Sequence, residues 1–405
     1  MTPWRRTPHL LEVLFVATLI LSSPGYPRSL HDVVEQVWTQ QPEAMSRTLR
    51  TDELSARQEA SESWTPAAPS MSLAHQTDRV FENTGSQSWE TELAIPLWLP
   101  GQKGSQQATL DAEQQAFNSK LIASKLRLAG LIRERYWQAR LADNELQFTQ
   151  RKSREISQLV AEIKRRVENG ELSTADLSQI IATEQQIKVE QTRAQTAYQY
   201  AVLQYQALTN EIITELDSEV TTPKNKDQLQ QHPYLMASQA IAEKTRRKLK
   251  ETIADTRESP ELSFTLGQAK DRAGEPFSKD IGVKFTLPFA TDNRNLPKSL
   301  AVSADLTEAT VARDLLFRQL QAELDASRYE WQLTTEAEQY AMRRYSESQK
   351  TYGWLKKAFQ NGQLDLPTYL KTENEKFDAE LALNRARLEK SRAIARYNQA
   401  IGVLP

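Results

Sequence analysis

The chain has 405 residues, 26% of them charged, with a net charge of −2, only 12 glycines and no cysteine. This near-neutral balance gives no basic surplus for a nucleic-acid partner. The lack of cysteine excludes disulfides, thiolate metal sites and a lipid-modified N-terminal cysteine.

Arg5 and Arg6 precede the 12-residue run Leu10 to Leu21, apolar apart from Glu12 and Thr18, and Ser22, Ser23, Pro24 and Gly25 follow it. A basic start, a short apolar stretch and small residues read as a secretory signal peptide over residues 1–25. The run is too short to span a bilayer as a helix, and no other stretch approaches 18 apolar residues. Any membrane role therefore falls to strands.

A first unit occupies residues 26–210. It opens with a helix from Leu30 to about Ser63, broken at Gln40 to Pro42. Alternating segments over about 70–79 and 86–97 then read as two strands around a turn at Thr84-Gly85-Ser86. Trp89, Leu93, Ile95 and Leu97 take one face of the second strand, and Glu90 and Glu92 take the other. Pro100-Gly101 ends it, and a helical hairpin of about 102–208 follows. Its first arm runs some 60 residues without proline, a rod of roughly 90–100 Å.

A polar linker, residues 211–230 with Pro223, leads to a second unit over 231–402 that replays the first. It has a helix, strands at about 261–270 and 279–289, and a hairpin at about 298–402. Pro42 and Pro233, like Pro69 and Pro260, lie 191 apart; Pro96 and Pro288, Gly170 and Gly362, and Tyr205 and Tyr397 lie 192 apart. One inserted residue across the whole unit marks an internal duplication. Leu93 and Phe285, Ile95 and Leu287, and Leu97 and Phe289 correspond, and together with Val283 they define one apolar face. The fold class is mostly α with a small β portion, a duplicated helix-strand-strand-hairpin unit.

The return arm of the first hairpin carries a seven-residue repeat: Ile180, Glu184, Ile187, Gln191, Ala194, Tyr198, Ala201, Tyr205 and Leu208. Tyr345, Ser348, Tyr352, Leu355 and Phe359 repeat it at the end of the second hairpin's first arm. Such spacing implies left-handed supercoiling, and its small and polar seam residues suit an array of helices with one wet side. The hairpins turn at Asn169-Gly170 and Asn361-Gly362, where a left-handed glycine closes the helix. Ser173 to Asp176 forms a capping box for the return helix, and Asp365 caps its counterpart with Pro367 in the first turn.

Four strands of 10–12 residues are long enough to cross a bilayer at a tilt. Membrane strands must close into a barrel, and four are too few, so several copies must share one. The competing reading of the same pattern is a soluble coiled-coil scaffold or a periplasmic adaptor without a pore.

The order of elements, the segment Ile95-Pro-Leu-Trp-Leu-Pro-Gly-Gln-Lys103 entering the long helix, and Val167-Glu-Asn-Gly-Glu-Leu-Ser-Thr-Ala-Asp-Leu177 at the first tip resemble the TolC family of outer membrane efflux proteins. The Asn-Gly-Glu-Leu-Ser tip is most similar to its heavy-metal cation efflux branch. The resemblance implies a homotrimer in the cell outer membrane, with a 12-stranded β-barrel in lipid continued by a 12-helix tube through the periplasm. Its partners would be a periplasmic adaptor and an inner membrane pump, commonly proton-driven. It places Leu93, Ile95, Leu97, Val283, Phe285, Leu287 and Phe289 against lipid. Asn169, Gly170, Leu172, Ser173 and Leu177 with Asn361, Gly362, Leu364 and Leu370 would form adaptor-docking tips. Family members narrow the tip opening with Asp and Arg side chains; here Asp176 and Asp365 are the candidate gate carboxylates.

No catalytic constellation is visible, and the expectation is a protein that is not an enzyme and holds no cofactor. His9, His31, His75 and His232 are scattered without metal-ligand spacing, and Glu90 and Glu92 read as solvated wall.

Overall fold

A computed structural model describes residues 29–80, 84–221, 226–289 and 292–405. The signal-peptide segment 1–25 and Pro223 of the linker lie outside the described residues. The elements run α1 (Leu30–Thr39), α2 (Pro42–Met45), α3 (Arg47–Ser61), β1 (Ser70–Thr77), β2 (Gln87–Pro96), α4 (Gln102–Glu168) and α5 (Thr174–Thr209). A 3₁₀ turn at Lys226–Gln231 leads into α6 (Pro233–Ala254), β3 (Glu261–Lys270), β4 (Ser278–Thr286), α7 (Asp292–Gln360) and α8 (Leu366–Ala400). Helix α7 begins ahead of Lys298 and holds Pro297 inside it, past the first turn, where the ring removes one i→i−4 hydrogen bond from the ladder.

The duplication is written into local structure. Pro42 opens α2 and Pro233 opens α6, each in the first turn. The strand register repeats as well. Ser70 pairs with Ala94; moved on by 191 and 192, these become Glu261 and Thr286, which pair with each other. Leu128, Ile132 and Tyr205 share one apolar cluster, and their counterparts Leu320, Leu324 and Tyr397 share another.

The four strands form one antiparallel sheet in sequence order, open at β1 and β4. Below it α4 and α7 each extend roughly 100 Å at about 1.5 Å per residue. Helix α4 packs along α5 and α7 along α8, the two hairpins meet through α4 and α8, and α6 lies between α4 and α7 at the sheet end. Every residue of the predicted seam on α5, from Ile180 to Leu208, is buried or half-buried, because a seven-residue repeat keeps one stripe against the neighbouring helix.

The linker is not a loose spacer. Its Leu216 is buried with its backbone N–H donated to Tyr136 Oη at 3.1 Å, and Glu219 binds Arg133 of α4 through two nitrogens at 3.0 and 2.9 Å. Arg133 also donates to Gln399 Oε1 at 2.6 Å, so one buried guanidinium ties the linker and the end of α8 to α4.

Candidate conduit wall and tips

The pleat sorts the sheet into two chemically distinct faces, since successive side chains point to opposite sides. Across the strands, Met71, Leu93, Phe264 and Val283 lie in one row and Leu73, Thr91, Leu266 and Ile281 in the next. A row of Ile95, Leu262 and Phe285 lies on the other side of these, toward the helices. Toward the loops the same face turns amphipathic: His75 stacks on Trp89 at 4.0 Å, and Lys270 sits 5.1 Å over Phe277. At the helix end, Trp98 Nε1 donates to Ser63 O at 3.1 Å.

The opposite face carries Glu90, Glu92, Ser263, Thr265, Asp280 and Lys284. Lys284 Nζ meets Glu92 Oε1 at 2.9 Å, and Ser263 Oγ donates to Glu261 at 3.3 Å. One face of the sheet is therefore largely apolar and the other polar and charged.

The structure places Leu93, Ile95, Val283 and Phe285 together on the apolar face. Leu97, Leu287 and Phe289 follow just past the strand ends; Leu97 continues the pairing through its N–H to Pro260 O at 2.8 Å. Leu93, Val283, Phe285, Leu287 and Phe289 are exposed large apolar side chains. Met71, Leu73, Phe264, Leu266 and Ile281 are exposed on the same face, with Leu262 half-buried beside them. These six lie outside the lipid-facing set expected from the sequence, although the same period-2 signal runs through them.

The two tips are built alike. Gly170 donates to Val167 O and Glu171 to Arg166 O; Gly362 donates to Phe359 O and Gln363 to Ala358 O. This is the Schellman pattern, which needs a left-handed residue, and Gly170 and Gly362 have φ of 77° and 73°. Asn169 and Asn361 precede them as exposed residues. Ser173 and Asp176 form the reciprocal capping box, with Ser173 N donating to Asp176 Oδ2 at 3.0 Å. Asp365 accepts from Thr368 N at 3.3 Å, and the Thr368 hydrogen bonds hold its carboxyl below the ordinary range. Both candidate gate carboxylates thus hold helix N-termini.

Behind the tips, Ile163, Ile180, Phe359, Leu366 and Tyr369 form a core that joins the hairpins, with Leu172, Leu177 and Leu364 half-buried on its edge. Leu370 belongs to this core at 5% exposure, because α8 turns it inward; it shapes the tip rather than presenting a surface. One turn deeper sits an arrangement the sequence did not disclose. Glu373, buried on α8, accepts from the hydroxyls of Tyr369 at 3.1 Å and Tyr352 at 3.3 Å. Burial is the largest influence on Glu373 and holds its pKa above the ordinary carboxylate value.

Further along the hairpins toward the sheet, Glu134 of α4 is ion-paired to Arg392 and Arg396 of α8, and Arg396 reaches Glu330 of α7 at 2.7 Å. Burial raises the Glu134 pKa, but Arg392 and then Arg396 outweigh it and leave it lowered. Among the described residues no group of three or more His, Asp or Glu side chains converges as a metal site would. No helix among the described residues is long and apolar enough to cross a membrane.

No protein-family model matches the chain, and no curated protein does. Solved structures do. The outer membrane protein VceC of Vibrio cholerae superposes with a TM-score of 0.74 at 14% identity, over 93% of this chain and 99% of that one. The outer membrane channel CmeC of Campylobacter jejuni gives 0.73 at 15% identity over 93% and 86%. The open state of the Neisseria gonorrhoeae MtrE outer membrane channel gives 0.71 at 15% over 92% and 88%. At these identities the likeness is one of architecture, and it spans nearly the whole of both chains: this protein has the fold of those outer membrane channels.

Proposed function

We propose that the chain is the outer membrane duct of a tripartite efflux system, of the kind the TolC family supplies. It would passively conduct metal cations or small toxic compounds from an inner membrane pump, through a periplasmic adaptor, to the exterior. The observation that carries this reading is the sheet: four strands, apolar on one face and charged on the other, open at both edges and continued by two rods of roughly 100 Å. A soluble scaffold has no use for a wall with hydrocarbon on its outer side.

Four strands cannot close a barrel on their own. Three copies supply twelve strands and twelve long hairpin helices, which makes a homotrimer with its barrel in outer membrane lipid and its helical tube in the periplasm. Leu93, Ile95, Leu97, Val283, Phe285, Leu287 and Phe289 then face lipid. The His75–Trp89 stack and Trp98 lie near the two ends of the apolar band, where amphipathic rings favour the membrane interface. Glu90, Glu92, Asp280 and Lys284 line water.

At the far end, Asn169, Gly170, Leu172, Ser173, Leu177, Asn361, Gly362 and Leu364 form the adaptor-docking tips, with Leu370 supporting them from behind. Asp176 and Asp365, beyond their capping roles, line the opening. The duct supplies no energy, so a proton-driven pump upstream fits this role. The signal peptide directs the chain to the secretory route.

Membrane fractionation with conductance tests the proposal. The protein should leave the outer membrane only with detergent, as a trimer, and should open ohmic pores in planar bilayers. Recovery as a water-soluble monomer or dimer without conductance would return the chain to the scaffold or adaptor reading.

A further inference from the structure

The internal repeat specifies how a second copy must sit. Among the described residues the main contacts between elements of the two units are β2 on β3, α4 on α8, and α4 on α6. By repeat equivalence each has a counterpart that the second unit can make only with the first unit of another copy. These are β4 on β1, α7 on α5, and α7 on α3.

The chain shows these counterpart surfaces uncovered. Phe148 of α4 packs edge-on to Phe377 of α8 with centroids 5.9 Å apart and is 4% exposed. Tyr340, 192 residues on, holds the equivalent place on α7 and is 64% exposed. Arg392 is ion-paired to Glu134 across the α4–α8 contact, whereas its counterpart Tyr200 on α5 is exposed. Helix α6 is held between α4 and α7, while its counterpart α3 rests on α4 and leaves Leu49 exposed. The difference between equivalent positions is what an absent neighbour would leave behind.

The strands give the contact a register. Leu93 pairs with Phe264. Leu93 moved on by 192 is Phe285, and Phe264 moved back by 191 is Leu73. We propose that subunits join through β4 of one and β1 of the next with Phe285 opposite Leu73 and Thr286 opposite Ser72, while α7 packs against α5 of that same neighbour. This rests on the assembly proposed above and adds its residue-level geometry. The pairing keeps Phe285 and Leu73 on the apolar face. A slip of one residue would set Phe285 opposite Ser72 or Ala74 and mix the two faces around the whole barrel. It also satisfies the unpaired backbone of two edges that could not remain open in lipid.

Paired cysteines test the register directly, because the chain has no cysteine of its own. The Leu97 N–H to Pro260 O bond makes the odd residues of β2 the hydrogen-bonded ones, so Ala94 and Ser263 form a non-hydrogen-bonded pair. Thr286 and Ser72 are its counterpart, with Cα atoms expected about 4.5 Å apart, within reach of a disulfide. In the full-length protein in mild detergent, oxidised S72C/T286C should give covalent dimers and trimers. Their yield should exceed that of the two-residue slips S70C/T286C and A74C/T286C by about fivefold or more, since diagonal partners lie roughly 7–8 Å apart. The within-chain pair A94C/S263C should lock as a monomer and report that the sheet has folded. If native mass spectrometry finds a trimer but a slipped pair links as well as S72C/T286C, the register is overturned and the assembly stands. If the cysteine-free protein is a monomer, the assembly fails as well.

Discussion

The Tyr369 hydroxyl lies 3.1 Å from Glu373 Oε1, one helical turn along α8, and the Tyr352 hydroxyl of α7 reaches the same oxygen at 3.3 Å. The other Glu373 oxygen is buried with no hydrogen-bond partner among the described residues. A carboxylate so placed is costly when ionised, and burial, aided by Glu155, raises its pKa against the tyrosine bonds and Lys376. The folded state therefore holds this proton more tightly than the unfolded chain. Its contribution to stability is present below the ordinary carboxylate pKa and is lost as pH rises through the raised folded value.

E373Q keeps an acceptor for both hydroxyls and removes the charge. Stability at pH 8 should rise above that of the wild type, with little change near pH 4. Denaturant melts of wild type and variant across that range measure it. An identical pH slope in the two proteins would show that Glu373 ionises freely.

The tip glycines act through the backbone alone. A Cβ on Gly170 or Gly362 would meet nothing within 4 Å, so the cost of substitution is the left-handed φ. Valine at either position should destabilise the tip by about 1–2 kcal/mol. Amide exchange in residues 165–175 or 357–368 should quicken while the rest of the helices keep their protection. The double variant should still insert and assemble but lose efflux. Unchanged substrate tolerance in cells would argue against docking at the tips.

These tips were legible in the sequence because turn and cap chemistry is local: Asn-Gly, Ser173 to Asp176 and Asp365-Leu366-Pro367 each specify their geometry within a few residues. The strand faces were legible for a related reason, since alternation in Leu93, Ile95 and Phe285 survives an even repeat offset. The Tyr352–Tyr369–Glu373 cluster was not. Its burial depends on α7 lying against α8, and no spacing within α8 separates a buried Glu373 from an exposed one. Leu370 falls in the tip segment by sequence for the same reason, one residue from Tyr369 in a helix whose inward face only packing decides. The linker read as a polar spacer because Glu219 shows its role only beside Arg133, 86 residues away.

That pair supports a third prediction. Arg133 is 4% exposed, held by Glu219, Gln399 and Val403 O. Removing one member of a buried pair strands the other, a loss of about 3–5 kcal/mol. R133M should cost that much, and R133M/E219L should recover a large part of it. A double-mutant cycle on chemical unfolding reads the coupling. If the two losses simply add, the ion pair does not anchor the linker.

The two faces of the sheet make the most direct test of the wall. Leu93 shares its row with Met71, Phe264 and Val283, whereas Glu90, three residues away, points to the side of Asp280 and Lys284. An arginine on the lipid face of a membrane strand costs about 2–4 kcal/mol near the midplane, and a lumenal charge change costs little. In three copies, L93R should therefore cost roughly 6–12 kcal/mol per assembled barrel and abolish insertion. E90K should insert like the wild type and shift the ion selectivity of the pore toward anions. Outer membrane yield after detergent extraction and the reversal potential in a salt gradient measure the two effects. If L93R inserts normally while E90K is excluded, the sheet faces the bilayer with its other side.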